Sequence, residues 1–253
     1  SLLPNQEDFI ENVDRLYALQ IVITYHILIT AITALVVWFV LPKNDEDNHH
    51  GKTKNMFITP KLKLLFDKNI FFIAVTVICA YCGYKGLDNI TLYLVQTLNW
   101  HEASAASFAA YATYLRPISA ISAGVIADKF DCSKTIKNLF LISILVYLIL
   151  FSTTPNNHSA WIIYLNILLT FVTVFALRGI YFALLQDAQF PQSKTGVIVG
   201  FVSLIGYTPD IFFGSLTGRI LDNSPGVAGH QNYFLFLMVI SILGLITTYF
   251  LSR

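Results

Sequence analysis

Charge is scarce in this sequence. Only 12% of its 253 residues are Asp, Glu, Lys or Arg, while 55% are hydrophobic and the mean hydropathy is +0.63. A soluble domain carries roughly twice that charged fraction, so composition speaks against a water-soluble enzyme. Cysteine is scarce too: three residues make no disulfide scaffold. Cys79-Ala80-Tyr81-Cys82 spells a CxxC, but it lies in an apolar run without a His or acidic cluster beside it. Thiols buried in apolar surroundings are inert, so no redox role is expected of them. The chain contains no G-x-S-x-G, no P-loop and no H-E-x-x-H, the signatures of common soluble catalysts, and no cofactor or metal is expected. Its lysine-rich stretch is balanced by acids, which leaves nucleic-acid binding without support. There is no initiator Met, cleavable signal or lipidation motif, and the chain reads as a piece of a longer protein.

What is there is a series of apolar runs, each about as long as the roughly 20 residues that cross a bilayer. The first covers 20–41 and the others roughly 70–98, 103–127, 136–152, 160–186, 195–218 and 232–251. The expected fold class is all-α integral membrane: a six-helix half-bundle plus one preceding transmembrane helix. Three regions follow: an extracytoplasmic segment and first span (1–42), a hydrophilic linker (43–68), and the six-span body (69–253). Within the linker, His49-His50 without a second ligand cluster reads as solvated loop rather than metal site. Pro60 to Phe66 is compatible with a short helix on the membrane surface. His26, inside the first span, is either a proton relay or a hydrogen-bonded structural histidine.

The cations orient the chain. Lys43, Lys52, Lys54, Lys61, Lys63, Lys68, Lys129, Lys134, Lys137, Lys194 and Arg253 fall on one side, and Arg15 and Arg219 on the other. By the positive-inside rule the linker and C-terminus are expected in the cytoplasm.

The six later spans read as two sets of three. Lys85-Gly86-Leu87 corresponds to Arg178-Gly179-Ile180, Pro117 to Pro209, and Gly124 and Asp128 to Gly218 and Asp222, at a nearly constant offset. Three spans per unit force successive units to insert with opposite topology, and inverted repeats of this kind place a site near the membrane midplane. Gly86, Pro117, Gly179 and Pro209 are expected to loosen or kink their helices there.

Five ionisable residues lie well inside spans: Lys85, Asp88, Arg116, Arg178 and Asp210. A charge at the bilayer centre costs about 2.5–3.5 kcal/mol on insertion scales, so such residues face a bundle interior or a water-filled path. Lys85 and Asp88, at i and i+3, share one helical face. Arg116 has small helical neighbours (Ala109, Ala112, Ser119, Ala120 and Ala123), leaving room for a packed helix or a solute. Three cations against two anions favour an anionic solute, which Arg binds bidentately. The candidate substrate-binding residues are Lys85, Arg116 and Arg178, with the aromatic residues Tyr84, Tyr181 and Tyr207. Asp88 and Asp210 are candidate proton carriers, because a carboxylate that gains and loses a cationic partner changes its proton affinity. The competing reading makes all of these fixed salt bridges between helices.

At Gly124-Val125-Ile126-Ala127-Asp128-Lys129 the sequence resembles the cytoplasmic loop motif G-x-x-x-D-[RK]-x-G-[RK] of the major facilitator superfamily. Asp131 stands where that motif has its second Gly, and Cys132-Ser133 where it has basic residues. Val202 to Asp222 looks like the eleventh helix of bacterial permeases of this superfamily, and Arg178-Gly179-Ile180-Tyr181-Phe182-Ala183 like the tenth. The resemblance implies helix six, the central linker and helices seven to twelve of a twelve-helix transporter. It implies rocker-type alternating access and a gating role for Gly124, Asp128 and Lys129. The other cavity wall would come from an N-terminal half of the same transporter, and this half alone is expected to be unable to transport.

The resulting expectation is a permease of the bacterial inner membrane moving a small organic anion, coupled to protons by symport or exchange. Its partners are that solute, protons and membrane lipid. A non-transporting membrane sensor on the same scaffold and an intramembrane enzyme are the alternatives, the latter lacking His or Cys partners for its buried charges.

Overall fold

The computed structural model describes residues 6–40, 67–154, 160–187 and 192–252. The linker histidines and the segment Pro60–Phe66 lie outside them. All regular structure among the described residues is helical: α1 (Gln6–Val40), α2 (Lys68–Gly86), α3 (Ile90–Leu98), α4 (Glu102–Thr113), α5 (Leu115–Phe130), α6 (Cys132–Ser152), α7 (Ala160–Ile180), α8 (Leu184–Asp187), α9 (Gln192–Gly206), α10 (Pro209–Asn223) and α11 (Val227–Leu251). Two 3-10 turns, Leu87–Asn89 and Tyr181–Ala183, join α2 to α3 and α7 to α8.

The chain divides into two units, Ser1–Met56 and Phe57–Arg253. In the first, α1 is one continuous helix. His26 spends its Nδ1 on the carbonyl of Val22, 2.9 Å away on its own helix, which is the structural reading of that residue.

In the second unit the repeat is written into the backbone. Leu87 and Tyr181, which open the two 3-10 turns, are 94 positions apart, and so are Leu115 and Pro209, which open α5 and α10. Each break has a local cause. A proline ring clashes with the carbonyl four residues earlier and offers it no N–H. Pro117 therefore ends α4 at Thr113, and Pro209 ends α9 at Gly206. The carbonyl of Ile205, deprived of Pro209, accepts instead from the backbone N–H of Thr208 at 3.1 Å and from its Oγ1 at 2.7 Å. Pro209 then serves as the first residue of α10, where its fixed φ is an advantage.

The core follows from which helix faces meet. α6 and α2 pack extensively on α11, and α5 packs on α7. Ile73, Val77, Ile136, Phe140 and Val202 form one buried cluster, and Leu94, Tyr147, Phe171, Phe213 and Phe234 another. Glycine permits a close approach of two helix backbones at Gly179, where an added Cβ would lie 2.8 Å from that of Ala120 and 2.9 Å from its Cα. That contact clamps α7 to α5 beside two of the candidate arginines. Outward, apolar side chains stay exposed (Leu141, Leu145, Leu148, Val239, Leu243 and Ile246), as surfaces facing hydrocarbon require.

Among the described residues, six stretches are long and apolar enough to cross a membrane: Leu19–Val40, Lys68–Leu98, Cys132–Ser152, Trp161–Gln186, Thr195–Asn223 and Val227–Leu251. The expected span 103–127 is helical as α4 and α5 but is absent from that set. Glu102, Arg116, Asp128 and Lys129 and a run of Ala and Ser lower its apolarity. Its length suffices, since 102–130 rises about 43 Å as helix against a hydrocarbon core of roughly 30 Å.

Asp131, the residue departing from the superfamily motif, has φ 87° and ψ 130°, a conformation in which glycine is at ease and other residues are strained. Its carboxylate accepts from the backbone N–H groups of Ser133 at 2.8 Å and Lys134 at 3.4 Å, capping α6. The motif's backbone shape is kept, and the side chain that strains it caps the next helix. Asp131→Ala, losing the cap and keeping the strain, is expected to cost about 1–2 kcal/mol. Asp131→Gly should cost less. Thermal unfolding in detergent checks the order, and equal midpoints for the two variants would refute it.

Candidate functional site

Lys85 ends α2 one residue before the break, and its Nζ lies 2.7 Å from Asp88 Oδ2 across the 3-10 turn. The i, i+3 pairing expected from sequence is therefore present. The same Nζ lies 3.7 Å from Oδ1 of Asp210, in the first turn of α10. The other oxygen of Asp210, Oδ2, accepts a hydrogen bond of 2.9 Å from Tyr81 Oη. One lysine thus serves two carboxylates, and one of those carboxylates is shared between a cation and a phenol.

Tyr81 connects this triad to the arginines. Its ring lies 4.8 Å from that of Tyr207 and 5.7 Å from that of Tyr84, centroid to centroid. The guanidinium of Arg178 lies 3.6 Å from the Tyr84 ring centroid and 5.4 Å from that of Tyr81. Arg116 approaches the same Tyr84 ring at 5.9 Å. The hydroxyls of Tyr181 and Tyr207 meet at 3.3 Å. All eight candidate substrate and proton residues therefore fall into one connected cluster, held by the ends of α2 and α7, the starts of α5 and α10, the turn between α9 and α10, and the two 3-10 turns.

The charges are unevenly satisfied. Lys85 is flanked by two carboxylates, whereas neither Arg178 nor Arg116 has a carboxylate partner among the described residues. Nη1 of Arg178 is buried and has no hydrogen-bond acceptor. Stacking on an aromatic face stabilises a guanidinium by about 0.5–2 kcal/mol, yet it leaves that N–H donor unspent. A buried charged donor without an acceptor costs free energy until something accepts from it. Lys85, Asp88 and Asp210 remain partly open, with side chains 28, 59 and 52% exposed. They line a pocket of about 280 Å³ together with Thr217 and Asp222. Asp222 is the repeat counterpart of Asp128, so the second copy of that position faces the charged cluster.

One residue of the site escaped sequence reasoning, and another was readable only as a neighbour of Arg178 on its helical face. Tyr81 had been visible only as the interior of the CxxC, although it stands four residues before Lys85 and three before Tyr84, on the same face of α2. Phe175, 6.4 Å from Tyr84, carries no signal beyond its place one turn before Arg178. The gate candidates are not part of the cluster. Gly124 has open space around its Cα, Asp128 is exposed, and Lys129 Nζ lies 5.4 Å over the ring of Phe130. Cys79, Cys82 and Cys132 are buried and form no disulfide among the described residues, and the Cys132 thiol donates to the carbonyl of Ile180 at 3.7 Å.

Residues 17–214 match the family model of the Major Facilitator Superfamily. The chain belongs to the major facilitator superfamily. Members of this superfamily are membrane transporters as a rule rather than enzymes, and the apolar helices of this chain make it a multi-pass membrane protein. It is 30% identical over 243 residues to inner membrane protein YihN of Escherichia coli (strain K12), covering 91% of this chain and 56% of that protein. It is 22% identical over 234 residues to inner membrane protein YqcE of the same organism, covering 90% and 55%. A protein of Mycoplasma pneumoniae is 24% identical over 194 residues, covering 67% of this chain and 87% of its own. The chain thus spans about half the length of the two Escherichia coli relatives. No solved structure matches it significantly.

Proposed function

We propose that the chain is the half of a secondary active transporter that receives a small organic anion and couples its movement to protons by alternating access. The observation that carries this reading is Arg178, a stacked guanidinium with a buried N–H that no side chain accepts. A carboxylate, phosphate or sulfonate would complete it, with Arg116 as a second cation beside the same ring. Lys85 is less available, because Asp88 and Asp210 already neutralise it.

Protonation of Asp210 would remove one of the two negative charges beside Lys85 and turn the charged acceptor of Tyr81 into a weaker neutral one. That change weakens the tie between α10 and α2, beside the two helix breaks where the repeats meet. An inward and an outward state differing in this contact would exchange a proton as they interconvert, which is what coupling requires. Similarity to the two Escherichia coli proteins supports a bacterial inner membrane. The lysine asymmetry supports a cytoplasmic linker and C-terminus.

The test is uptake by cells expressing the full-length protein, using labelled organic anions, zwitterions and cations with and without a pH gradient. Accumulation of an anion that rises with the gradient is the expected result. Uptake of a cation or a neutral solute, indifferent to the gradient, would refute the reading.

A further inference from the structure

A second cavity lies apart from the charged cluster, between α5, α6 and α7. It measures about 670 Å³, and its wall is mostly apolar, with Leu115, Ile126 and Phe130 among its residues and Ser122, Asn138 and Lys134 among its polar ones. Its long wall follows α5 from Leu115 to Phe130, about 22 Å of helix rise. Lys134, in the first turn of α6, is the one charged lining residue. Only Asp131 separates α5 from α6, so Lys134 and Phe130 mark the same end of the groove. Leu115, at the α4–α5 break, marks the other.

Two magnitudes identify the occupant. Half of a bilayer about 40–45 Å thick, headgroups included, is roughly 20–22 Å. The groove is therefore one leaflet deep and charged only at its outer end. Divided along that length, its volume gives a mean cross-section of about 30 Å². A helix at least 10 Å in diameter needs about 80 Å². An extended hydrocarbon chain fits within that cross-section, whereas a helix would lie across the open side of the groove without filling it. The ammonium of Lys134 is exposed and has no ion-pair partner among the described residues. The nearest acid, Asp131, has its carboxylate on the α6 amides.

We infer that this groove binds an anionic phospholipid, one acyl chain lying along α5 and the phosphate at Lys134. Its inner end touches Leu115, the residue before Arg116, so a bound chain braces the helix break that presents Arg116 to Tyr84.

Native mass spectrometry of the detergent-purified protein tests this with phosphatidylglycerol and phosphatidylcholine of identical chains. The wild type is expected to retain one phosphatidylglycerol in preference to phosphatidylcholine. Lys134→Gln, at an exposed position that the fold tolerates, should lower phosphatidylglycerol retention about five-fold, the usual worth of one basic residue at an anionic surface. It should leave phosphatidylcholine retention unchanged. Ser122→Trp, filling the groove, should remove retained lipid of both kinds. Equal retention of the two lipids by the wild type, retention insensitive to both substitutions, or a dimer that Ser122→Trp dissociates would each overturn the assignment.

Discussion

Arg178→Gln is expected to lower anion uptake by roughly two orders of magnitude. Truncating one partner of a buried, hydrogen-bonded charge contact costs about 2–5 kcal/mol, and glutamine keeps the size of the side chain while removing the charge and the fork. Arg178→Lys separates the two contributions. Lysine restores the charge but neither stacks on Tyr84 over 3.6 Å nor presents a planar pair of donors, so it should recover only part of the loss. The variant should fold, because Arg178 makes no salt bridge among the described residues whose loss would strand a buried acid. Initial uptake rates across anion concentrations, normalised to protein in the membrane, read the effect. Wild-type rates in Arg178→Gln would reduce this residue to an aromatic-stacking brace between α7 and α2.

Asp210→Asn has the second large expected effect, and it differs in kind. Asparagine keeps an acceptor for Tyr81 Oη, now 2.9 Å from a carboxylate oxygen, but cannot gain or lose a proton. Exchange of labelled for unlabelled anion should survive, while accumulation against a gradient should collapse. One unit of pH gradient is about 1.4 kcal/mol, which for one proton per solute is a tenfold accumulation ratio. That ratio should fall to about one in the variant. Asp88→Asn provides the comparison: among the described residues Asp88 pairs with Lys85 alone, at 2.7 Å and three positions along the chain. Its neighbour bond closes no contact between helices, so its loss should leave coupling largely in place. Collapse in Asp88→Asn with full accumulation in Asp210→Asn would reverse the two roles.

The parts of this molecule legible in sequence are those fixed by neighbours along the chain. The breaks before Pro117 and Pro209 follow from a ring and a carbonyl four residues apart, and the Lys85–Asp88 pair from one turn of helix. The apolar runs needed only their length and composition, with the exception of 103–127, whose alanines, serines and charges lower its apolarity. Contacts between helices were only partly legible. Asp210 was visible as an ionisable residue inside a span, but its bond to Tyr81, 129 positions earlier, depends on how α10 crosses α2. The stacking of Arg178 on Tyr84 likewise depends on how α7 crosses α2. A cation excess could be counted, whereas its uneven satisfaction, with Lys85 doubly paired and the arginines without a carboxylate, exists only in three dimensions. The motif at Gly124, Asp128 and Lys129 was readable as a pattern, and its geometry survives in the backbone of Asp131. Its residues nevertheless stand apart from the charged cluster, into which the second copy, at Asp222, opens instead.

Proton flux on addition of solute tests the central claim most directly. The full-length protein would be reconstituted in liposomes loaded with a pH-reporting dye, at equal pH on both sides, and an anion found in the uptake panel added outside. The account predicts a proton flux that starts with the anion, scales with its concentration, and is absent in both Arg178→Gln and Asp210→Asn. Anion entry at wild-type rates without any proton flux, or a flux that persists in Asp210→Asn, would contradict it.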